Sequence, residues 1–450
     1  MKEGYKDSVI GEIPLDWDAM RIGEVIEEYQ NGYAFSPKGY LPEGIPIISM
    51  AMISLRGRFQ FDETKCKYWD LNDEKILMRY LLKKGDLIMA MTDVTPNKDL
   101  IGKMALIDRA GKYFLNQRVG HLKVNAEIIH SQYLAYIGNS ENWVNNCRNI
   151  ASQGAQANIG TKQIVESYIP VPPLPEQRKI AEILSTVDDK IDVIDQQISE
   201  TQALKKGLMQ RLLTKGIGHT EFKDSPLGEI PKSWKVVKFS ELISKGIITK
   251  IQDGNHGGAH PVTDDFVEEG IPFIMANCIS TSNKLNLNKA KRISFNQYKS
   301  LRIGFSEPND VLLTHKGTVG LTAIVEERHG SLMLTPQVTY YRIGDESILN
   351  RKFLYYYFQS STFQHLIDKF SKQSTRAYIG ITNQKNLLIT LPNDSIEQLK
   401  ISSILSSVDE KLEVLSDKKT HYQELKQGLM QQLLTGKIRV NGLINKPTMA

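Results

Sequence analysis

LKKGLMQRLLT at Leu204–Thr214 returns as LKQGLMQQLLT at Leu425–Thr435, a displacement of 221 residues (425 − 204). Further upstream, DSVIGEIPLDW at Asp7–Trp17 has a counterpart in DSPLGEIPKSW at Asp224–Trp234. The chain is written twice, with residues 7–215 answered by 224–436. A unit of about 210 residues is too long for a solenoid repeat and has the length of a whole domain. Two similar domains present two similar surfaces, which suits a ligand that is itself quasi-symmetric.

Each copy has a mixed front section and a helical tail. The front sections hold short β-rich runs separated by Gly, Pro, Asn and Asp. GIPIISM at Gly44–Met50 answers GIPFIMA at Gly270–Ala276, GDLIMAM at Gly85–Met91 answers NDVLLTH at Asn309–His315, and IGKMALI at Ile101–Ile107 answers VGLTAIV at Val319–Val325. LNQRVGHLKV pairs with LTPQVTYYRI as the next strand, and aromatic segments with helical character follow. This predicts an α+β front section built on a strongly bent sheet.

The tails have the clearest period. Ile180, Val187, Ile194, Thr201 and Leu208 recur every seven residues, and Leu184, Ile191, Ile198 and Leu212 form a second stripe. The same displacement gives Ile401, Val408, Leu415, Tyr422 and Leu429, then Leu405, Leu412 and Leu433. Matching heptad stripes predict two amphipathic helices paired as a coiled coil. Pro175 suits a first helical turn. Asp394 and Glu397 read as a capping box, and Gly216 and Gly436 as helix terminators. Each helix spans roughly 60 Å at 1.5 Å per residue. Lys205, Lys426 and Lys419 interrupt the second stripe, so the seam is imperfect or opens toward another partner. Antiparallel pairing relates the two domains by a pseudo-twofold axis, a geometry matched by duplex DNA.

Bulk composition narrows the function classes modestly. A basic excess of 56 Lys and Arg over 51 Asp and Glu permits nucleic-acid binding and argues against a DNA mimic. Cys66, Cys147 and Cys278 are widely separated and form no CxxC array, which disfavours structural zinc and a disulfide framework and fits a reducing cytoplasm. MKEGYKDSVIGEIP has no apolar signal-peptide core, and no run is long and apolar enough to span a membrane.

The order GEIPxxW, variable domain, PLPEQxxIAxIL helix and LKxGLMQxLLT, then the same again, resembles the specificity subunit of Type I restriction–modification enzymes. PLPEQRKIAEILSTVDDKI at Pro173–Ile191 and LKKGLMQRLLTKGI at Leu204–Ile217 carry the likeness. SIEQLKISSILSSVDEKL at Ser395–Leu412 departs from it only by lacking the prolines. The resemblance implies two target-recognition domains at 1–173 and 218–393, each reading one half of a split site in double-stranded DNA. It implies spacer helices at 174–217 and 394–439, with 440–450 left as a tail. The helices would set half-site spacing and dock two methyltransferase subunits, with restriction subunits joining that core. The chain itself would carry no cofactor, and S-adenosylmethionine, ATP and magnesium would belong to partner subunits.

Sequence readers place Arg or Lys opposite guanine and Asn or Gln opposite adenine, on loops. Loop 31–40 offers Asn31, Tyr33, Ser36, Lys38 and Tyr40. Loop 252–263 offers Gln252, Asp253, Asn255, His256, His260 and Thr263 among glycines. Ahead of the final strand of each front section, Gln153, Gln156 and Asn158 correspond to Lys372, Gln373 and Arg376. Lys316 and Thr318 add a fourth set. Any one of these is also an ordinary polar turn residue, and the loops gain weight only as a set. The opening loops differ beyond a shared EGIP, so the two half-sites are expected to be different sequences.

Catalytic motifs are missing. The sequence has no NPPY-like tetrapeptide and no GxxxxGK[ST], and LPND at Leu391–Asp394 is no substitute. His256 and His260 have HxxxH spacing, but the glycines between them disfavour a helical metal site. The chain reads as non-enzymatic. Two rival readings are a stand-alone DNA methyltransferase or nuclease, and a duplicated scaffold for a dimeric protein.

Overall fold

The computed structural model describes residues 3–75, 77–152, 157–256, 260–371 and 377–444. The chain forms two compact units, and neither is contiguous in sequence. Unit 1 is Met1–Asp195 with Asp417–Ala450, and unit 2 is Gln196–Ser416.

In unit 1 the strands of the front section's main sheets and the short pair beside them are β1 (Ile26–Asn31), β2 (Ile45–Ile48), β3 (Lys67–Trp69), β4 (Leu81–Lys83), β5 (Leu87–Ala90), β6 (Thr92–Asp93), β7 (Met104–Leu106), β8 (Lys112–Leu115), β9 (Val119–Val124) and β10 (Ala157–Asn158). They build two four-stranded sheets, ordered β7-β5-β9-β1 and β3-β2-β8-β4, plus a short β6-β10 pair. β2 and β8 run parallel, with Phe114 opposite Ile47. Helix α1 (Ser131–Ile137) covers the first sheet through buried Tyr133, Leu134 and Tyr136.

Unit 2 repeats this with β11 (Ile248–Asp253), β12 (Phe266–Ile274), β13 (Lys291–Ile293), β14 (Phe305–Ser306), β15 (Val311–Lys316), β16 (Thr318–Ile324), β17 (Leu332–Leu334) and β18 (Val338–Ile343). Its sheet orders are β11-β18-β15-β16 and β13-β12-β17-β14. The fold is α+β, as the sequence implies, but the expected single bent sheet is two sheets. The chain breaks hydrogen-bonding continuity at Asn116–Arg118 and at Thr335–Gln337, passing there from one sheet to the next.

The long helices span α2 (Leu174–Lys215) and α4 (Ser395–Leu433), with α3 (Arg351–Gln359) between them in sequence. Each unit holds the first part of one long helix and the last part of the other. In unit 1 their antiparallel course is fixed by Asp188 against Lys426 and Asp195 against Lys419. In unit 2 Lys205 meets Asp409. The heptad stripes are the seam: Ile180, Leu184, Val187, Ile191, Ile194 and Thr201 are buried, as are Ile401, Leu405, Val408 and Leu415. At 25 cal/mol per Å², each such aliphatic side chain contributes about 1.5–3 kcal/mol of burial.

The helix ends differ from the expected bounds: α4 stops at Leu433, short of 439, and its capping box is not formed. Gly216 and Gly436 sit at φ +65° and +70°, where glycine is favoured. Asp394 accepts the N–H of Ile396 at 2.8 Å, an N-cap. Glu397, however, does not complete a capping box with Asp394. It turns to Trp234, His219 and the backbone N–H of Ile217.

Candidate nucleic-acid interface

The crossing between sheets creates a corner, and the candidate loops leave from it. In unit 1 a Cβ on Gly32 would stand 2.1 Å from the Asn116 carbonyl, so a bare backbone is required there. Tyr33 donates its N–H to Leu115 at 2.8 Å, and Gln117 donates to Tyr33 at 3.0 Å. Unit 2 uses the same device. A Cβ on Gly254 would lie 2.1 Å from the Thr335 oxygen, and Asn255 donates its N–H to Leu334 at 2.8 Å.

Two more segments reach the same end of each unit. In unit 1 the end of β5 is tied to the corner by the N–H of Met91 on the Arg118 carbonyl (3.1 Å). β6 then pairs with β10, Asn158 opposite Thr92. The Asn31 amide reaches Thr161 Oγ1 at 3.1 Å and joins the first loop to this pair. In unit 2 His315 donates its N–H to Gln337 at 2.9 Å, and Ile379 donates to His315 at 2.9 Å. The hairpin tip Lys316–Thr318 turns at Gly317 (φ +80°), and Lys316 bridges Tyr378.

Most predicted residues are therefore gathered at one rim per unit. Asn31, Ser36, Lys38 and Asn158 are exposed and Tyr33 is 38% exposed, while Tyr40 is half-buried against Trp69. In unit 2 His256, Thr263, Lys316 and Thr318 are exposed, and Gln252 and Asp253 are half-buried. Gln252 accepts from Tyr340 at 2.9 Å. Asn255 is buried and shapes its loop from beneath. Gln153, Gln156, Lys372, Gln373 and Arg376 lie outside the described residues. His260 is held on the Asn255 carbonyl (2.9 Å) and its ring packs on Phe273, while His256 faces the Gly254 carbonyl. Among the described residues no cluster of three metal-ligating side chains occurs.

Sequence reasoning missed part of the unit 1 rim. Exposed Gln117 and Arg118 occupy the corner itself, inside a run read only as strand. The adjoining loop exposes Thr95 and Asn97, with Lys98 half-buried beside them. Asp93 organises that loop by accepting N–H groups from Thr95 (2.7 Å), Leu100 (2.5 Å) and Ile101 (3.2 Å). Burial opposes its ionisation, yet these donors prevail and lower its pKa. The polar triplet Asn116–Arg118 inside a strand-like run was the available signal.

The unit 2 rim rests on a buried polar chain. Gln384 donates to Thr339 Oγ1 (3.0 Å) and to the Ile379 carbonyl (2.9 Å), and accepts from Tyr341 (2.9 Å). Thr339 then has its own proton for His315 Nδ1, at 2.8 Å. Burial and neighbouring Lys316 lower the His315 pKa to about 4, so the ring is neutral at pH 7. The arrangement offers hydrogen-bond donors, acceptors and cations on exposed loops, and rigid support below them.

The model of the Type I restriction modification DNA specificity domain matches residues 14–202 and 231–426. The chain belongs to this family. Among Methanocaldococcus jannaschii relatives, the provisionally named type I restriction enzyme MjaX specificity subunit is 28% identical, over 98% of this chain and 97% of its own. The MjaVIII specificity subunit is 26% identical over the same shares. The EcoBI specificity subunit of Escherichia coli is 23% identical, over 88% of this chain and 80% of that one. The fold is shared with the S subunit of M. genitalium, at TM-score 0.58 and 13% identity, covering 93% of this chain and 96% of that one. The chain is thus a Type I specificity subunit with two target-recognition domains, and it is not itself catalytic. Among the described residues no helix is long and apolar enough to cross a membrane.

Proposed function

We propose that the two units read the two halves of an asymmetric, split target in double-stranded DNA. The observation that carries this is one scaffold with two different rims. Sheet order, corner glycine and loop attachment repeat between units, while the exposed chemistry does not. Unit 1 offers Asn31, Lys38, Gln117, Arg118 and Asn158, and unit 2 offers His256, Lys316 and Thr318. Arginine and lysine suit guanine edges or phosphates, and asparagine and glutamine suit adenine. Different side chains on one frame imply different half-sites.

The paired helices act as spacer and dock two methyltransferase subunits, which restriction subunits join. S-adenosylmethionine, ATP and magnesium are bound by those partners, in the cytoplasm, and this chain holds none. The test is a domain exchange. Replacing residues 218–393 with the corresponding segment of another specificity subunit should change one half of the methylated sequence and leave the other half intact. Changes in both halves would refute modular reading.

A further inference from the structure

Two of the three lysines that interrupt the heptad seam, Lys426 and Lys205, have partners of a repeated kind, while the third, Lys419, pairs with Asp195. In unit 1 Lys426 Nζ lies 2.7 Å from Asp188, and in unit 2 Lys205 Nζ lies 2.7 Å from Asp409. Each acid also accepts a hydroxyl from the domain beside it. Tyr136 on α1 donates to Asp188 at 2.9 Å, and Tyr356 on α3 donates to Asp409 at 2.8 Å. Each lysine lies near the same ring, 5.4 Å from the Tyr136 centroid and 5.7 Å from that of Tyr356. Both acids and both lysines are related by the repeat displacement (188 + 221 = 409; 205 + 221 = 426).

A second layer repeats as well. Arg58 pairs with Asp192, and Lys284 pairs with Glu413 at 2.9 Å. One loop of each reader is thereby fastened to the helix that carries its buried acid.

These groups are well enclosed. Side-chain exposure is 7% for Asp188 and 14% for Lys426, against 26% for Asp409 and 18% for Lys205. A buried ion pair is a poor source of net stability, since apolar replacements are often neutral or better. Its best-attested role is to fix register, because a misaligned pair leaves a charge uncompensated. Leucine and isoleucine stripes alone tolerate a slip of one heptad. In unit 2 such a slip would set Asp409 opposite Ile198 or Leu212 in place of Lys205. It would also take the acid away from Tyr356.

We propose that Tyr136–Asp188–Lys426 and Tyr356–Asp409–Lys205 are register keys. They hold the helix pair in one alignment, tie each reader to it, and so determine which spacer length between half-sites is accepted. This rests on the reading of the helices as a spacer. A heptad slip moves a helix by about 10.5 Å, on the order of three base pairs of duplex.

The experiment is to express the full chain with its methyltransferase and map methylated bases across the host genome. The wild-type chain is compared with a neutral variant carrying Asp188→Asn, Lys426→Met, Asp409→Asn and Lys205→Met. A third chain carries reversed pairs (D188K, K426D, D409K and K205D). The expected result is the same two half-sites in the neutral variant, with methylation spreading to additional spacer lengths, and a single wild-type spacer for the reversed pairs. A folded neutral variant confined to the wild-type spacer overturns the proposal. Should the neutral variant not fold, the reversed pairs decide: wild-type spacing alone supports the keys, and other spacings overturn them. Failure of both to fold also overturns the proposal, making the clusters structural supports. If the wild-type chain itself yields no split motif, the spacer reading fails instead.

Discussion

Trp17 donates its indole N–H to Glu176 at 2.9 Å, across 159 residues of chain, and both side chains are buried. Glu176 also receives a bidentate contact from Arg439, both distances 2.8 Å, and Arg439 reaches Asp16 at 2.6 Å. In unit 2 Glu397 occupies the same place and receives Trp234 at 3.1 Å, His219 at 2.8 Å and the N–H of Ile217 at 2.9 Å. A repeated tryptophan of GEIPxxW thus anchors each front section to the first turn of its own long helix. In unit 1 the segment after α4 completes the anchor, and in unit 2 the segment after α2 does.

Glu176→Ala should therefore be destabilising. It leaves Arg439 with Asp16 as its carboxylate partner and Trp17 unsatisfied in a buried site, at a cost of about 1–3 kcal/mol. Denaturant unfolding measures this. A loss below 1 kcal/mol would show that the cluster does not carry the contact assigned to it.

Gly32→Ala and Gly254→Ala place a methyl group 2.1 Å from the opposing corner backbone. The corner must open, costing about 1–3 kcal/mol. Recognition should fail at one half-site for each variant. Methylation sequencing checks this, and loss at both half-sites from either single change would contradict it.

His315 makes stability pH-dependent. Its unfolded pKa is about 6.5, and its folded value is about 4. Between these the unfolded chain binds a proton that the native chain does not, so stability is full above pH 6.5 and falls as pH drops toward 4. The loss at pH 5 should be on the order of 2 kcal/mol. His315→Met, the residue type at the equivalent Met91, should flatten that slope in urea titrations at pH 7 and pH 5. An unchanged slope would place the effect elsewhere.

Single contacts can be sorted by their specificity. If Arg118 or Lys316 reads a base, its alanine variant should lose about 1–3 kcal/mol of DNA affinity and relax one position of the motif. Uniform weakening across sequences, with a shallower salt dependence, marks a phosphate contact instead.

Much of this architecture was legible in the sequence. The heptad stripes gave the helices and their seam, because a buried stripe of Ile, Leu and Val has few other solutions. Gly216 and Gly436 marked the helix ends for the same local reason. The two-sheet front section was not legible, since the crossing at Asn116–Arg118 depends on a glycine 84 residues away (116 − 32). The seam lysines were visible, but their partners Tyr136 and Tyr356 come from separate elements. Arg118 was hidden for a related reason: strand-like neighbours on both sides masked an exposed corner.

The most direct measurement is to express this chain with and without a Type I methyltransferase subunit and to map methylated bases genome-wide. A split, asymmetric motif methylated only when both proteins are present is the predicted result. Methylation by this chain alone would contradict the account, as would a symmetric or unsplit motif in the presence of a folded, cofactor-competent methyltransferase.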